Sequence, residues 1–305
     1  MGQCLPSPAI PNHKNKLYGG AGPVQDPWLL DFIRSVSTDA VTWLGNDNIH
    51  REFVAVYQDW IASTGCNRWT GLEDFKHGVV MQGTTETFDK FYMQNRHCRF
   101  RCFRGEYMYH QLAWRNFWPN SWCYIDDEPL AADDAVVISL PFADTGNQHI
   151  DHNAVIAECN RLNIPVLLDC AYFGICADLD FDVSAPCIRQ IAFSLSKTFP
   201  VAHARIGMRL TREDDDDPGF VYQKTAYVNR FACGLGIQLM QRVGPDYVYS
   251  KYAHRQQEFC QTLGVLPSQS VLFGIGDTDW VDYNRGTDTN RLSFHQYLTQ
   301  GELPE

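Results

Sequence analysis

Apolar residues recur along this chain in two rhythms, and the alternation between them predicts the fold. Short unbroken apolar runs at 78–83 (GVVMQG), 100–103, 135–140 (AVVISL), 165–169 (PVLLD) and 191–195 read as buried strands. Between them the spacing is helical. Ile49, Phe53, Val56, Tyr57 and Trp60 share one face of an amphipathic helix over 49–61. Phe88, Phe91 and Tyr92 mark a second helix that starts on Thr and Glu, and Val155, Ile156, Cys159 and Leu162 mark a third over 151–163. A short helix is expected at 28–36, and one long or two short helices over 220–243. Beyond Tyr247 come another helix and the strand-like pieces SVLFGIG and NRLSFHQYL. Strands alternating with helices predict an α/β architecture, a mostly parallel sheet with helices on both faces.

Other stretches lack either rhythm. Residues 1–27 hold five prolines and a Gly-Gly pair and read as an extended arm. Tyr107, Met108 and Tyr109 read as an aromatic, polar loop, and TREDDDDPG (211–219) as a solvated acidic turn, a metal site being the alternative there. The expected division is an arm and first helix over 1–41, a large domain over 42–245 and a small C-terminal subdomain over 246–305.

Composition narrows the function. A chain of 305 residues with 45% hydrophobic and 20% charged residues can bury a large core. A net charge of −11 argues against nucleic acid or an anionic membrane as the main partner. No apolar run reaches the roughly 18 residues of a membrane helix. The first residues lack the apolar core of a signal peptide, and Pro6 stands where a myristoylation start wants Ser or Thr. Eleven cysteines without a CxxC pair suit free thiols in a reducing cytoplasm better than a zinc site, and no metal is expected.

Chemistry gathers at the predicted strand ends, where open parallel sheets bind ligands. The apolar run 191–195 ends in Ser194-Leu195-Ser196-Lys197, which puts Lys197 at the mouth of a buried strand. A lysine there either snorkels to solvent or has the depressed pKa of a nucleophilic amine able to form a Schiff base. Ser194 and Arg205 flank it and suit a phosphate, arginine by its planar fork of donors. Gly83, Thr84 and Thr85 form a strand-to-helix turn, either a helix cap or a second phosphate contact. Asp169 ends PVLLD, where it caps a turn or neutralises a protonated ring nitrogen, and Tyr172 stands three residues on. Tyr107 can stack on a flat ring or simply pack. Arg291, in NRLSF, can clamp a carboxylate or sit in a surface ion pair. A reactive amine beside phosphate donors points to pyridoxal 5'-phosphate (PLP). No Gly-x-Gly-x-x-Gly or Walker-type loop points instead to a nucleotide.

In that order these motifs resemble the class I/II aminotransferases, PLP enzymes of fold type I. SLSKTFPVAHARIG is similar to the family's Ser-x-Ser-Lys with arginine eight residues after the lysine, and DCAY to its Asp-x-Ala-Tyr. GTTE resembles the phosphate loop, FRGEYMYHQ the loop with the ring-stacking aromatic, and NRLSF the late arginine motif. The likeness runs from about Thr42 to Leu298. It implies a three-layer fold with a shortened C-terminal subdomain, and a homodimer. It also implies amino transfer between an α-amino acid and a 2-oxo acid through a Lys197 Schiff base. Asp169 and Tyr172 would contact the ring, Tyr107 would stack on it, and Gly83, Thr84, Thr85, Ser194 and Arg205 would hold the phosphate. Arg291 would bind the substrate α-carboxylate. The family's Asn-Pro-Thr-Gly is here Ala143-Asp144-Thr145-Gly146, and the tyrosine that reaches the neighbouring subunit's phosphate falls near Trp43. Another PLP reaction, by a β-lyase, decarboxylase or synthase, is the alternative.

Overall fold

The computed structural model of the protein describes residues 17–36, 40–117, 121–214 and 217–303. Most of the proline-rich arm and part of the aspartate run therefore lie outside the described residues. The chain opens with helices α1 (Pro27–Val36), α2 (Ala40–Gly45) and α3 (Ile49–Ala62), then β1 (Arg68–Thr70) and β2 (His77–Met81). There follow α4 (Thr84–Gln94), β3 (Arg99–Cys102), α5 (Met108–Phe117), β4 (Trp122–Tyr124), β5 (Asp134–Ser139), α6 (His152–Leu162) and β6 (Val166–Asp169). Next are β7 (Asp180–Asp182), β8 (Ile188–Ser194), β9 (Gly207–Thr211), α7 (Pro218–Thr225), α8 (Arg230–Arg242) and α9 (Tyr247–Leu263). The chain closes with β10 (Leu266–Pro267), β11 (Phe273–Gly276) and β12 (Asn290–Ser293).

Seven strands form the central sheet in the order β2-β9-β8-β6-β5-β3-β4. All run parallel except β9, which is antiparallel to both β2 and β8. The middle strands are buried on both sides, which is why they are written as unbroken apolar runs. Alternate residues of β5 go to opposite faces: Val136 and Ile138 join one core, Ala135 and Val137 the other. Phe88, Phe91 and Tyr92 of α4 cover the second face. Phe53, Tyr57 and Trp60 of α3 help cover the first, where the indole of Trp60 donates to the Val243 carbonyl at 2.7 Å beyond α8.

The region over 220–243 is two helices. Ala226, left-handed at φ 57°, ends α7, and the Asn229 side chain accepts the Ala232 N–H at 3.0 Å to start α8. The acidic turn is only partly solvated, contrary to expectation. Asp217 is buried: it pairs with the buried Arg209 at 2.5 Å and accepts the Gly219 N–H at 2.6 Å at the start of α7. A buried guanidinium needs such a partner. The C-terminal piece, α9 with the antiparallel sheet β10-β11-β12, contributes Val248, Phe259, Phe273 and Leu292 to the first core. Tyr107 and Tyr109 are not both in a loop. α5 starts at Met108, and its Tyr109 hydroxyl donates to Asp89 of α4 at 2.8 Å.

Candidate active site

The parallel strands end along one edge of the sheet, and a cleft of about 540 Å³ opens there. β9 runs the other way, so the residues before it, not after it, reach the same edge. Gly207 pairs with both Ser194 and Met81, which brings Arg205 beside the ends of β8 and β2. The cleft is large enough for a cofactor and a small substrate together.

Gly83 ends the first segment with φ 74°, a left-handed value that favours glycine. A Cβ there would lie 2.4 Å from Nη2 of Arg205, and one on Gly207 would lie 2.7 Å from the Gly83 Cα. The two glycines thus let the guanidinium cross the strand ends. From there Arg205 donates to the Gln82 carbonyl and to the Thr85 hydroxyl, both at 3.1 Å. Thr84, Thr85 and Arg205 line the cleft at the N-terminus of α4, an arrangement able to hold a phosphate-sized anion.

Ser194 departs from expectation. It is buried behind the cleft, its hydroxyl donating to Ser196 Oγ at 2.9 Å and placed 3.3 Å from the Ile206 carbonyl. Ser196, two residues on, lines the cleft instead. The two hydroxyls touch in the turn after β8, and only the later one reaches the cleft.

Asp169 closes β6, buried, with Ser139 and Ala192 as strand neighbours. Burial pushes its carboxyl up to about 7, against the opposing effects of the Ala171 N–H, 3.0 Å from Oδ1, and of Lys197. The Lys197 amine feels the reverse. Burial lowers its pKa, the Asp169 charge opposes that, and Arg205 and Arg291 lower it further. Lys197 lines the cleft, its amine donating to the Ala21 carbonyl of the arm. The described part of the arm lies on its own chain's site. Tyr172 and Tyr107 also line the cleft. The Tyr172 hydroxyl stands 3.5 Å from the Ala143 carbonyl, and the half-exposed Tyr107 ring runs nearly parallel to Tyr109 with centroids 6.1 Å apart.

Arg291 is a buried cleft residue rather than a surface ion-pair partner. It lies on β12, donates to the carbonyls of Ala143 at 2.8 Å and Asp144 at 3.1 Å, and rests 4.3 Å above the Phe273 ring. Asp144 accepts the Thr287 hydroxyl at 2.7 Å. Trp43 lies apart, its ring over Gly234 and edge-on to Phe231. Among the described residues, no group of three or more His, Cys, Asp or Glu is placed to hold a metal ion, and no helix is long and apolar enough to cross a membrane.

Glu106 and Arg285 were not singled out from the sequence, yet both line the cleft. Glu106 follows β3 with no periodic signal, and only its apolar surroundings in the fold mark it. Its carboxylate accepts the Ser139 N–H at 2.8 Å and also the Ser139 hydroxyl. Burial pushes its carboxyl up to about 8, the Ser139 bonds oppose this, and Asp169 adds to it. Between the ordinary carboxyl range and pH 8 the folded state keeps this proton while the unfolded chain loses it. Ionisation thus costs stability as pH rises. Unfolding of the cofactor-free protein at pH 5, 6, 7 and 8 should show wild type losing ground to Glu106→Gln, by up to about 1.4 kcal/mol per pH unit. A constant difference across that range would contradict the assignment.

No protein-family model matches the chain, and neither does any curated protein. Solved structures do. Tyrosine aminotransferase from Leishmania infantum aligns over 92% of this chain and 90% of its own at 13% identity, TM-score 0.62. The PLP-bound C-S lyase from Staphylococcus hominis aligns over 92% and 88% at 9% identity, TM-score 0.66. Histidinol-phosphate aminotransferase from Clostridium acetobutylicum aligns over 92% and 95% at 13% identity, TM-score 0.62. The chain has the three-layer α/β fold of the fold type I PLP-dependent enzymes.

Proposed function

We propose that this chain, built on the fold type I frame, is a PLP-dependent enzyme that moves an amino group between an α-amino acid and a 2-oxo acid. One observation carries the reading: an amine, a carboxylate and a guanidinium from three separate strand ends (Lys197, Asp169 and Arg205) line one cleft. The cradle suits a phosphate, since at Gly83 only the absence of a side chain leaves room for the Arg205 fork. When bound, PLP supplies a ring that withdraws electrons from the bonds of an amino acid's α-carbon.

The chain's residues divide the rest of the work. Arg205, Thr84, Thr85 and Ser196 bind the phosphate, with Gly83 giving the room and Ser194 bracing the turn. Asp169 would meet the ring nitrogen and hold its proton. Tyr172 would serve the phenolic oxygen, for which Ala143 offers no side-chain donor, and Tyr107 would stack on the ring. The Lys197 amine would hold the aldehyde of the cofactor and, once the incoming amino group of the substrate had displaced it, would be free to take and return the α-proton. Arg291 grips the α-carboxylate and so sets which bond stands perpendicular to the ring. The same reading includes a homodimer, a cytoplasmic location and small-molecule partners.

A second reading has an observation in its favour, because the C-S lyase matches with the highest TM-score of the three structures. In it the same residues serve an elimination. Purified protein given PLP should develop a lysine-dependent band near the visible, and an amino acid should shift it. Amine transfer that requires an added 2-oxo acid supports the first reading. Release of ammonia without an acceptor supports the second, and the absence of any band refutes both.

A further inference from the structure

We propose that Arg285 is a second anion receptor in this cleft, and that the substrate is an amino acid whose side chain carries its own carboxylate or phosphate. The inference rests on the reading above. Arg285 stands on the segment between β11 and β12, half-buried at the cleft wall. Its guanidinium lies 4.6 Å over the Tyr18 ring and donates to the Gly19 carbonyl, while its Nε is buried without a partner. Arg291 donates to the same carbonyl at 3.4 Å, and its Nε too is buried and unpartnered. Two guanidiniums thus converge on one neutral oxygen.

Among the described residues no carboxylate comes within 4.0 Å of Arg285. Asp144 acts on it only at longer range and accepts the Thr287 hydroxyl instead. Other arginines at the cleft are engaged: Arg104 pairs with Asp127 at 2.6 Å, and Arg205 holds the strand ends. Withdrawing a guanidinium from water is costly unless an anion meets it, and its fork suits carboxylate and phosphate oxygens in pairs. An α-carboxylate at Arg291 uses one of the two cations. A substrate with a second anionic group uses the other, displacing the Gly19 carbonyl from both.

The test compares charge at constant shape. On the PLP-loaded protein, spectral titration should give an apparent Kd for glutamate or O-phosphoserine at least about 30-fold below that for glutamine. Whichever of the two acids binds tighter identifies carboxylate or phosphate as the second group. Arg285→Gln should collapse that ratio to within about 3-fold, and Arg285→Lys should recover part of it. Calorimetry on cofactor-free protein should show glutarate binding at least about 10-fold tighter than butyrate, again only with Arg285 present. Wild-type ratios near one, or ratios that survive Arg285→Gln, would overturn the proposal. A missing PLP band would refute the cofactor reading separately, because the glutarate-to-butyrate ratio needs no cofactor.

Discussion

Lys197→Ala will yield protein that shows no lysine-dependent absorbance band when mixed with PLP, and whose amino-transfer rate falls by about 10³-fold or more. The size of the effect follows from the two tasks placed on one amine. Among the described residues of the cleft it alone is a nucleophile with a pKa lowered by burial, and Arg205 and Arg291 lower it further. The substitution also removes the cation that opposes the effect of burial on Asp169, so that carboxyl should rise further above the ordinary carboxylate range in cofactor-free protein. Spectral titration and single-turnover kinetics on wild type and variant check the first claim. A band of unchanged position and amplitude in the variant would falsify the role given to Lys197.

Asp169→Asn should bind PLP and react about 10²- to 10³-fold more slowly, the range seen when one preorganised charge partner is lost. Asparagine keeps the shape and can still accept the Ala171 N–H, now made to Oδ1 at 3.0 Å. What it lacks is the charge. A buried carboxylate is costly until a cation faces it, and a protonated ring nitrogen repays that cost. The neutral amide cannot hold that proton, so the ring withdraws electrons less strongly. Rates with saturating substrate decide the matter. A variant within about 3-fold of wild type would mean that Asp169 only caps its turn.

Most of the sheet was legible because buried parallel strands leave a plain mark, an apolar run followed by a polar residue. AVVISL and PVLLD became β5 and β6, and the last residues of those strands, Ser139 and Asp169, reached the cleft edge. Helices with a clear face, such as α3 and α4, were equally readable. β1, β4 and β7 were missed because each spans three residues, too few for any period. The Tyr107 segment misled for a different reason. Its aromatic and polar residues look like loop chemistry, but α5 packs against α4 through the Tyr92 hydroxyl and His110 at 2.5 Å. Asp217 misled because a run of aspartates reads as solvated until a buried arginine is found opposite one of them.

By itself the sequence determined the alternation of strands and helices, the burial of the sheet, and the residue types able to meet an aldehyde, a phosphate and a carboxylate. Those are local properties, written in spacing and in the cost of leaving apolar surface in water. Only the tertiary structure decided which way β9 runs, and with it that Arg205 meets Gly83 and Thr85. It also decided that Ser196 rather than Ser194 faces the cleft, and that Glu106 and Arg285 belong there. Strand direction, the rotation of a turn and the pairing of a buried charge depend on contacts between residues far apart in the chain, which no local pattern encodes.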